Sequence, residues 1–349
     1  MPSSPPYTKD ILLSNQLLAW FDANGRTLPW RSKPCAPYPV VVSEFMLQQT
    51  TVASVIPYFQ RFMERFPTVQ SLSESPLDDV YHLWQGLGYY SRAKNLHRTA
   101  QIVAREGCGV WPSTALGLKE LPGIGPYAAA AIASIAFDEP VAVLDGNVRR
   151  VLSRLFLVDM NEKGALSQLR ELAQSITPAQ RAGDYAGAIM DLGAMICRPK
   201  NPLCEECPWK EACGAYATGA QALYPSPKIK IAQPLREAFV FVLTDRQGRI
   251  FVRQRPESGL LGHLWELPHS GFERNDAQFD TAALPPGISW EETDMTIKHT
   301  FTHFKLSLHV MKGLLSTNAS PWPEGKWVLP AHLKDLAFPT VMQKVLLKL

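Results

Sequence analysis

Leu121-Pro-Gly-Ile-Gly-Pro-Tyr127 runs directly into the alanine-rich stretch 128–137. Two glycines let a backbone turn tightly and approach another molecule closely. The helix predicted after the turn leaves its first amides without partners, which makes a natural phosphate site. A plain connector between two packed helices uses the same residue types, and a lone Gly-x-Gly favours that plainer reading. The alanines predict a helix with neighbours packed tightly against it.

Outward from this segment, residues 8 to about 215 read as almost entirely helical. Apolar residues at helical spacing predict a helix over Ser43–Phe66, ended by Pro67. A second helical stretch, Leu77–Arg105, is interrupted at Gly86-Leu-Gly88, and short helices are expected at 148–158 and 186–196. The texture changes after Tyr216. Residues 217–235 hold Gly219, Pro225, Pro227, Lys228, Lys230 and Pro234 with few apolar side chains, which is linker composition. Beyond it, Ala238–Leu243, the turn Asp245-Arg-Gln-Gly248 and Arg249–Arg253 predict strand, turn, strand, and Thr300–Val310 predicts a further alternating strand. The expected organisation is an all-α domain over 1–216, a linker over 217–235 and an α+β domain over 236–349.

The bulk numbers agree with two globular domains: 349 residues, 46% hydrophobic, with no apolar run long enough to span a bilayer. Met1-Pro-Ser-Ser-Pro-Pro6 lacks the basic start and apolar stretch of a signal peptide, so a cytoplasmic protein is expected. A net charge of +3 permits nucleic-acid binding without announcing it.

Cys197, Cys204, Cys207 and Cys213 crowd into 17 residues as C-x6-C-x2-C-x5-C, while Cys35 and Cys108 stand alone. A cytosolic chain does not spend such a cluster on disulfides, which leaves a metal centre. Four soft sulfurs suit zinc or an iron–sulfur cube, and on donor chemistry alone the two stand level.

Two carboxylates sit in distinctive strings, Ser43-Glu-Phe-Met-Leu-Gln-Gln-Thr50 and Val143-Leu-Asp-Gly-Asn-Val148. Glu44 among Val40, Val41, Val42, Phe45, Met46 and Leu47 is either a surface residue of a helix's first turn or a desolvated acid. Asp145 precedes a predicted helix and suits an N-cap. Paired in different environments, such groups can divide the work of glycosidic cleavage: one delivers a proton, the other steadies a cationic sugar.

Taken together, the strings resemble a known family. The cysteine spacing is similar to the [4Fe–4S] loop of the endonuclease III superfamily, and Leu121–Tyr127 to its helix-hairpin-helix motif. Gly25-Arg-Thr-Leu-Pro-Trp-Arg31, Ser43–Thr50, Gly86-Leu-Gly-Tyr-Tyr-Ser-Arg92 and Leu144-Asp-Gly-Asn-Val148 resemble MutY-type adenine DNA glycosylases along essentially the whole chain. The resemblance implies a bacterial base-excision-repair enzyme, expected as a monomer, acting on duplex DNA that carries adenine opposite 8-oxoguanine or, more weakly, guanine. It makes Glu44 the general acid and Asp145 the stabiliser of the sugar, with Tyr127 and Asn147 beside them. Gly123 and Gly125 would grip the DNA backbone, and Cys197, Cys204, Cys207 and Cys213 would hold the cluster. Leu28, Trp30 and Arg31 resemble adenine-pocket residues, whereas Gln48 and Tyr89, with Leu47 beside them, match positions that enter the base stack. Relatives often carry Asn followed by Gln or Glu where this chain has Ala186-Gly187, so Gly187 departs from the pattern.

Position 127 separates two chemistries. Bifunctional relatives place a lysine there, whose amine attacks the sugar and leads to strand cleavage. Tyrosine cannot do this, so a monofunctional glycosylase is expected. A catalytically silent DNA-binding protein is the rival class, opposed by retention of both carboxylates. In the C-terminal part, Gly259–Pro268 resembles the Nudix-related domain of MutY proteins, and no R-E-x-x-E-E string lies between Pro268 and Trp290. Recognition rather than pyrophosphate hydrolysis is the implied role. Phe301-Thr-His303 matches the family's Phe-Ser-His loop that reads 8-oxoguanine, with Thr302 keeping the hydroxyl.

Overall fold

The computed structural model describes residues 6–32, 35–226, 232–257, 259–272, 284–285, 288–315 and 324–349. By packing, the chain sorts into two compact units, Met1–Glu74 with Asn95–Ile229 and Ser75–Lys94 with Lys230–Leu349.

The first unit is helical: α1 (Pro6–Asn24), α2 (Pro37–Leu47), α3 (Val52–Arg65) and α4 (Val69–Glu74) come before residue 75. After α5 (Leu77–Trp84), which belongs to the second unit, follow α6 (Ser91–Arg105), α7 (Ala115–Leu118), α8 (Pro126–Phe137), α9 (Gly146–Phe156), α10 (Ala165–Ser175), α11 (Ala182–Asp191) and α12 (Gly214–Ala217). α8 is buried along its whole run from Ala128 to Ser134. Its alanines let α2 and α11 pack closely on it. Leu17, Leu152, Leu169, Leu192 and Trp209 centre the core beside it, each contributing about 2 kcal/mol through burial. Trp209 also donates its indole N–H to the Leu13 carbonyl at 2.9 Å, tying the cysteine-rich loop to α1.

The helix expected over Ser43–Phe66 is two helices. α2 stops at Leu47, Gln49 takes a left-handed φ of 62°, and the Thr51 side chain caps α3 by accepting from the Ser54 amide at 3.4 Å. A capping threonine offers the backbone a better partner than continued helix does. α11 runs on into a π-helical segment, Leu192–Ile196.

The second unit is a mixed sheet with strand order β3-β2-β1-β5-β4, and β6 paired to β2. Its strands are β1 (Leu235–Asp245), β2 (Ile250–Gln254), β3 (Trp265–Glu266), β4 (Ser289–Thr300), β5 (Lys305–Leu315) and β6 (Lys326–Val328), followed by α13 (Thr340–Leu346). β1 lies parallel to β5 and antiparallel to β2. Alternation along β1 sends Ala238, Val240 and Val242 to the core that includes Val341, Met342 and Val345 of α13. Phe241 and Leu243 go into smaller clusters on the other face. Thr300–Val310 is not one strand: β4 ends at Thr300 and β5 begins at Lys305, so Phe301–Phe304 form the tip of a hairpin. The tip closes with the Phe301 amide donating to the Phe304 carbonyl at 2.8 Å.

Residues 75–94, expected within the helical domain, pack instead with the sheet unit. Val80, Tyr81 and Trp84 of α5 are buried. Gln85 donates to the Leu336 carbonyl at 2.8 Å and accepts from Gln343 at 3.0 Å. On β3, beside β2, buried Glu266 pairs with Arg253 at 2.8 Å and Arg255 at 2.5 Å and accepts from His269 at 2.8 Å. Burial alone would raise its pKa, but these partners outweigh it and hold the carboxyl at about 2. Most of the span searched for a Nudix hydrolase string, 273–283, lies outside the described residues. Among the described residues no helix is long and apolar enough to cross a membrane.

Candidate active site

Glu44 sits near the end of α2 and is 4% exposed. Because Val40 to Met46 are buried in one run, the helix has no wet face onto which this acid could turn. It is the desolvated acid of the two sequence alternatives. Burial and then the negative charge of Asp145 push its carboxyl up to about 7, partly offset by a hydrogen bond from Tyr127 and the charge of Arg31. Tyr127, in the first turn of α8, has its own pKa driven well above 10 by burial and by the Glu44 and Asp145 charges. It therefore stays a phenol, and its O–H donates to Glu44.

Asp145 does what its sequence position suggests for a cap. Its Oδ1 accepts from the Val148 amide at 2.6 Å, while Oδ2 accepts from the Asn147 Nδ2 at 3.1 Å. Asn147 Oδ1 accepts in turn from Arg150 at 3.0 Å, and Arg150 donates further to the carbonyls of Gly193 at 2.7 Å and Cys197 at 2.8 Å. A Cβ on Gly193 would lie 2.8 Å from Asn147 Cβ, so glycine is what lets the π-helical segment press against this residue. A hydrogen-bonded path thus joins Asp145 to the backbone of the first cysteine in the cluster.

Arg31 is held from the other side by Asp191, which is fully buried. Asp191 accepts from Arg31 at 2.8 and 2.9 Å, and from the Arg26 amide at 2.9 Å and guanidinium at 2.6 Å. Burial acts to raise the Asp191 pKa, but these donors overcome it and hold the group below the ordinary range. Leu28, Arg31, Gly187, Phe21 and Arg26 line a cavity of about 480 Å³. A Cβ at Gly187 would stand 3.1 Å from the Phe21 ring and 3.6 Å from the Arg31 guanidinium, which occupy the space beside it. Trp30 does not line this cavity; it is buried edge-on to Phe59, ring centroids 5.2 Å apart.

Gly123 has φ 78°, and a Cβ there would meet Asn95 Cβ at 2.6 Å. Gly123 and Gly125 are exposed, and among the described residues neither amide has a protein acceptor. The Gly125 surroundings are open, and Gly125 caps α8. That is the arrangement an anion needs. Leu47 and Gln48 close α2, both partly exposed.

In the second unit Tyr89 has φ 47° and is 46% exposed, with its hydroxyl hydrogen-bonded to that of Thr302. Tyr90 is buried core, edge-on to Tyr81. Thr302 and His303 are exposed at the hairpin tip, while Phe301 is half-buried between His299 and Phe304, 4.6 Å from each ring.

All four clustered cysteines line one small cavity with Arg154 and Gln221. Burial first, then the neighbouring thiols, push Cys213 up, and burial takes Cys207 to about 12 despite a Trp209 amide hydrogen bond. Arg154 donates to Cys197 Sγ at 3.4 Å and to the Arg198 carbonyl at 2.7 Å, bracing the loop. Among the described residues no three His, Cys, Asp or Glu side chains converge closely enough to hold a single metal ion, so the four thiols surround a cavity rather than one ligation point. Sequence reasoning missed Asp191, Arg150 and Arg154. Asp191 carries the signal that marked Glu44, a lone acid in an apolar run (Ile189-Met-Asp-Leu192).

Residues 42–177 match the HhH-GPD superfamily of base excision DNA repair proteins, and residues 239–348 match the NUDIX domain. The chain is 36% identical to an adenine DNA glycosylase of Rattus norvegicus, over 94% of this chain and 76% of that protein. It is 34% identical to an adenine DNA glycosylase of Buchnera aphidicola subsp. Schizaphis graminum, over 96% and 98%. Among solved structures it is similar to a thermostable thymine-DNA glycosylase, with TM-score 0.55 and 27% identity over 60% of this chain and 98% of that one. An endonuclease III–DNA complex shares the fold at TM-score 0.52 and 20% identity, over 62% and 99%.

Proposed function

Since the chain belongs to the adenine DNA glycosylase family, we propose that it hydrolyses the N-glycosidic bond of adenine opposite 8-oxoguanine, or more weakly guanine, in duplex DNA. The observation that carries the mechanism is a buried Glu44 carboxyl, protonated up to about pH 7, beside Asp145 and Tyr127. Adenine inside a duplex is out of reach, so it must first be flipped out, at an unstacking cost of about a few kcal/mol. Glu44 then gives its proton to the departing adenine as the C1′–N bond breaks and the electron pair leaves with the base. Asp145 faces the positive charge left on the sugar. Water attacks C1′ and returns a proton to the Glu44 carboxylate, which restores the acid and leaves an abasic strand. Tyr127 donates to Glu44 and so eases proton release, and with no amine at this position the enzyme has no Schiff-base route to strand cleavage.

Leu28 and Arg31 contribute to the adenine pocket, with Arg31 fixed by Asp191. The free amides at Gly123 and Gly125 bind backbone phosphate, a contact without sequence information. Gln48 and Tyr89 enter the stack, for which Tyr89 must release Thr302. The exposed hairpin tip, Phe301-Thr-His303, reads the base opposite adenine.

Cys197, Cys204, Cys207 and Cys213 fit a [4Fe–4S] cluster: four thiols around one cavity, braced by Arg154. The cluster would cross-link the loop and supply no step of the reaction. Iron analysis with a visible absorbance band separates it from zinc. A monomer in the bacterial cytoplasm completes the proposal.

Duplexes with adenine opposite 8-oxoguanine, incubated with wild type and Glu44→Gln, test the reading. Adenine release that needs alkali for strand scission and nearly vanishes in the variant supports it. Release unaffected by Glu44→Gln removes the mechanism, and a borohydride-stable adduct in good yield removes the monofunctional assignment.

A further inference from the structure

A row of lysines on β4 and α13 has no part in the chemistry described so far. Lys298, Lys344 and Lys348 line a shallow cavity of about 310 Å³ together with Ile297 and Leu347, and no carboxylate lines it. All three lysines are exposed. Among the described residues none of them has an ion-pair partner, and the Lys344 ammonium donates only to the Lys298 carbonyl, at 3.2 Å. β4 is the edge of the sheet, so nothing in the sheet covers its outer side. Ammonium groups held this close repel one another until an anion joins them.

The row is continuous with the hairpin tip. β4 carries Lys298 and leads into Phe301 two residues after His299. Burial and then the Lys344 charge push the His299 imidazole down to about 4, so the lysine field is felt at that strand. His299 shares a cavity of about 480 Å³ with Phe301, Thr302, His303 and Thr340, the first residue of α13. One strand and one helix therefore carry both features.

We propose that Lys298, Lys344 and Lys348 form a phosphate-binding rail that holds the duplex backbone beside the mispair. The proposal rests on reading the Phe301–Phe304 tip as the element that meets the base opposite adenine. Duplex DNA offers about one negative charge per 1.7 Å of its axis, the counter-charge that three adjacent ammoniums lack. Lysine suits such a contact, being a point charge on a flexible stem that reads no sequence.

Binding of full-length protein to adenine:8-oxoguanine and adenine:guanine duplexes, measured across a salt series in a Glu44→Gln background that keeps the substrate intact, tests this. The Lys298→Gln/Lys344→Gln/Lys348→Gln triple should flatten the slope of log K against log salt by about 2–3, since each phosphate left without its lysine is worth about 0.9. Lys344→Gln alone should flatten it by about 1, and the triple Arg version should keep the wild-type slope. With Glu44 restored, excision at saturating enzyme should stay within about twofold. An unchanged slope in a triple variant with wild-type melting overturns the rail. Thr302→Ala separates the underlying reading: it should abolish the preference for 8-oxoguanine with the slope intact. If that preference persists, the tip assignment fails whatever the lysines do.

Discussion

The carboxyl of Glu44 and the carboxylate of Asp145, 101 positions apart in the chain (145 − 44), stand close enough that the charge of the second raises the proton affinity of the first. Burial does most of that work, Asp145 adds to it, and Tyr127 with Arg31 limit the shift. The pair is thereby split into one group that keeps a proton near neutrality and one engaged by a helix terminus.

A pH profile follows. On the proposed mechanism Glu44 must carry its proton to act, and its pKa is raised to about 7. Single-turnover adenine release should therefore fall on the alkaline side of about pH 7, approaching tenfold per unit. Glu44→Gln should lower the rate by roughly 10²–10⁴-fold, the usual worth of general acid catalysis. A flat profile from pH 6 to 9 would count against Glu44 as the proton donor.

The same shift makes a stability prediction of opposite appearance. An acid at 4.5 in the unfolded chain and about 7 in the fold stabilises the fold only while both states are protonated. That relative stability drains away as pH rises from 4.5 to 7. Glu44→Gln, which cannot ionise, should match wild type near pH 4 and exceed it well above pH 7 by about 3 kcal/mol. Denaturant melts at the two pH values read this out, and a variant less stable at pH 8 would contradict the desolvated acid.

Asp191 is the anchor of two arginines. Asp191 is buried, but the two guanidiniums it pairs with are partly exposed, so Asp191→Asn should cost about 2–3 kcal/mol, less than the loss of a wholly buried pair. Guanidinium unfolding should show that loss, and adenine release should drop as Arg31 leaves its place. A variant as stable as wild type would mean that Asp191 does not anchor the two arginines.

Gly123→Ala should destabilise by about 2–4 kcal/mol, because φ 78° is costly for alanine and its Cβ would strike Asn95 Cβ and the Phe45 ring. Thermal melting checks the first effect. Weaker binding to undamaged duplex checks the second, since the Gly123 amide would be displaced.

How much of this was legible in the chain depends on the reach of each interaction. The glycine turn and the alanine helix are local patterns, and each emerges where it was expected; the four cysteines, equally local, come to line one cavity. The proximity of Glu44 and Asp145 is not local; only the likeness of their strings to a known family linked them. The break after Leu47 was hidden because Gln48, Gln49 and Thr50 are all tolerable in a helix, and the capping role of Thr51 shows only once α3 has formed. Alternation through Phe301-Thr-His-Phe304 looked like strand, yet a tight hairpin tip keeps the same alternation. The pairing of α5 with the sheet unit rests on Gln85 meeting residues over 200 positions away, which no window of sequence reports.

Asp145 spends one oxygen closing the end of α9 and offers the other toward its neighbours. On the proposed mechanism folding and turnover both draw on this one side chain, so a substitution that keeps the charge should still cost both. Glutamate at this position would carry the same formal charge on a stem one methylene longer, loosening the terminus while moving the second oxygen away from the Asn147 amide. Such a coupling confines the position to aspartate more narrowly than chemistry or architecture would alone.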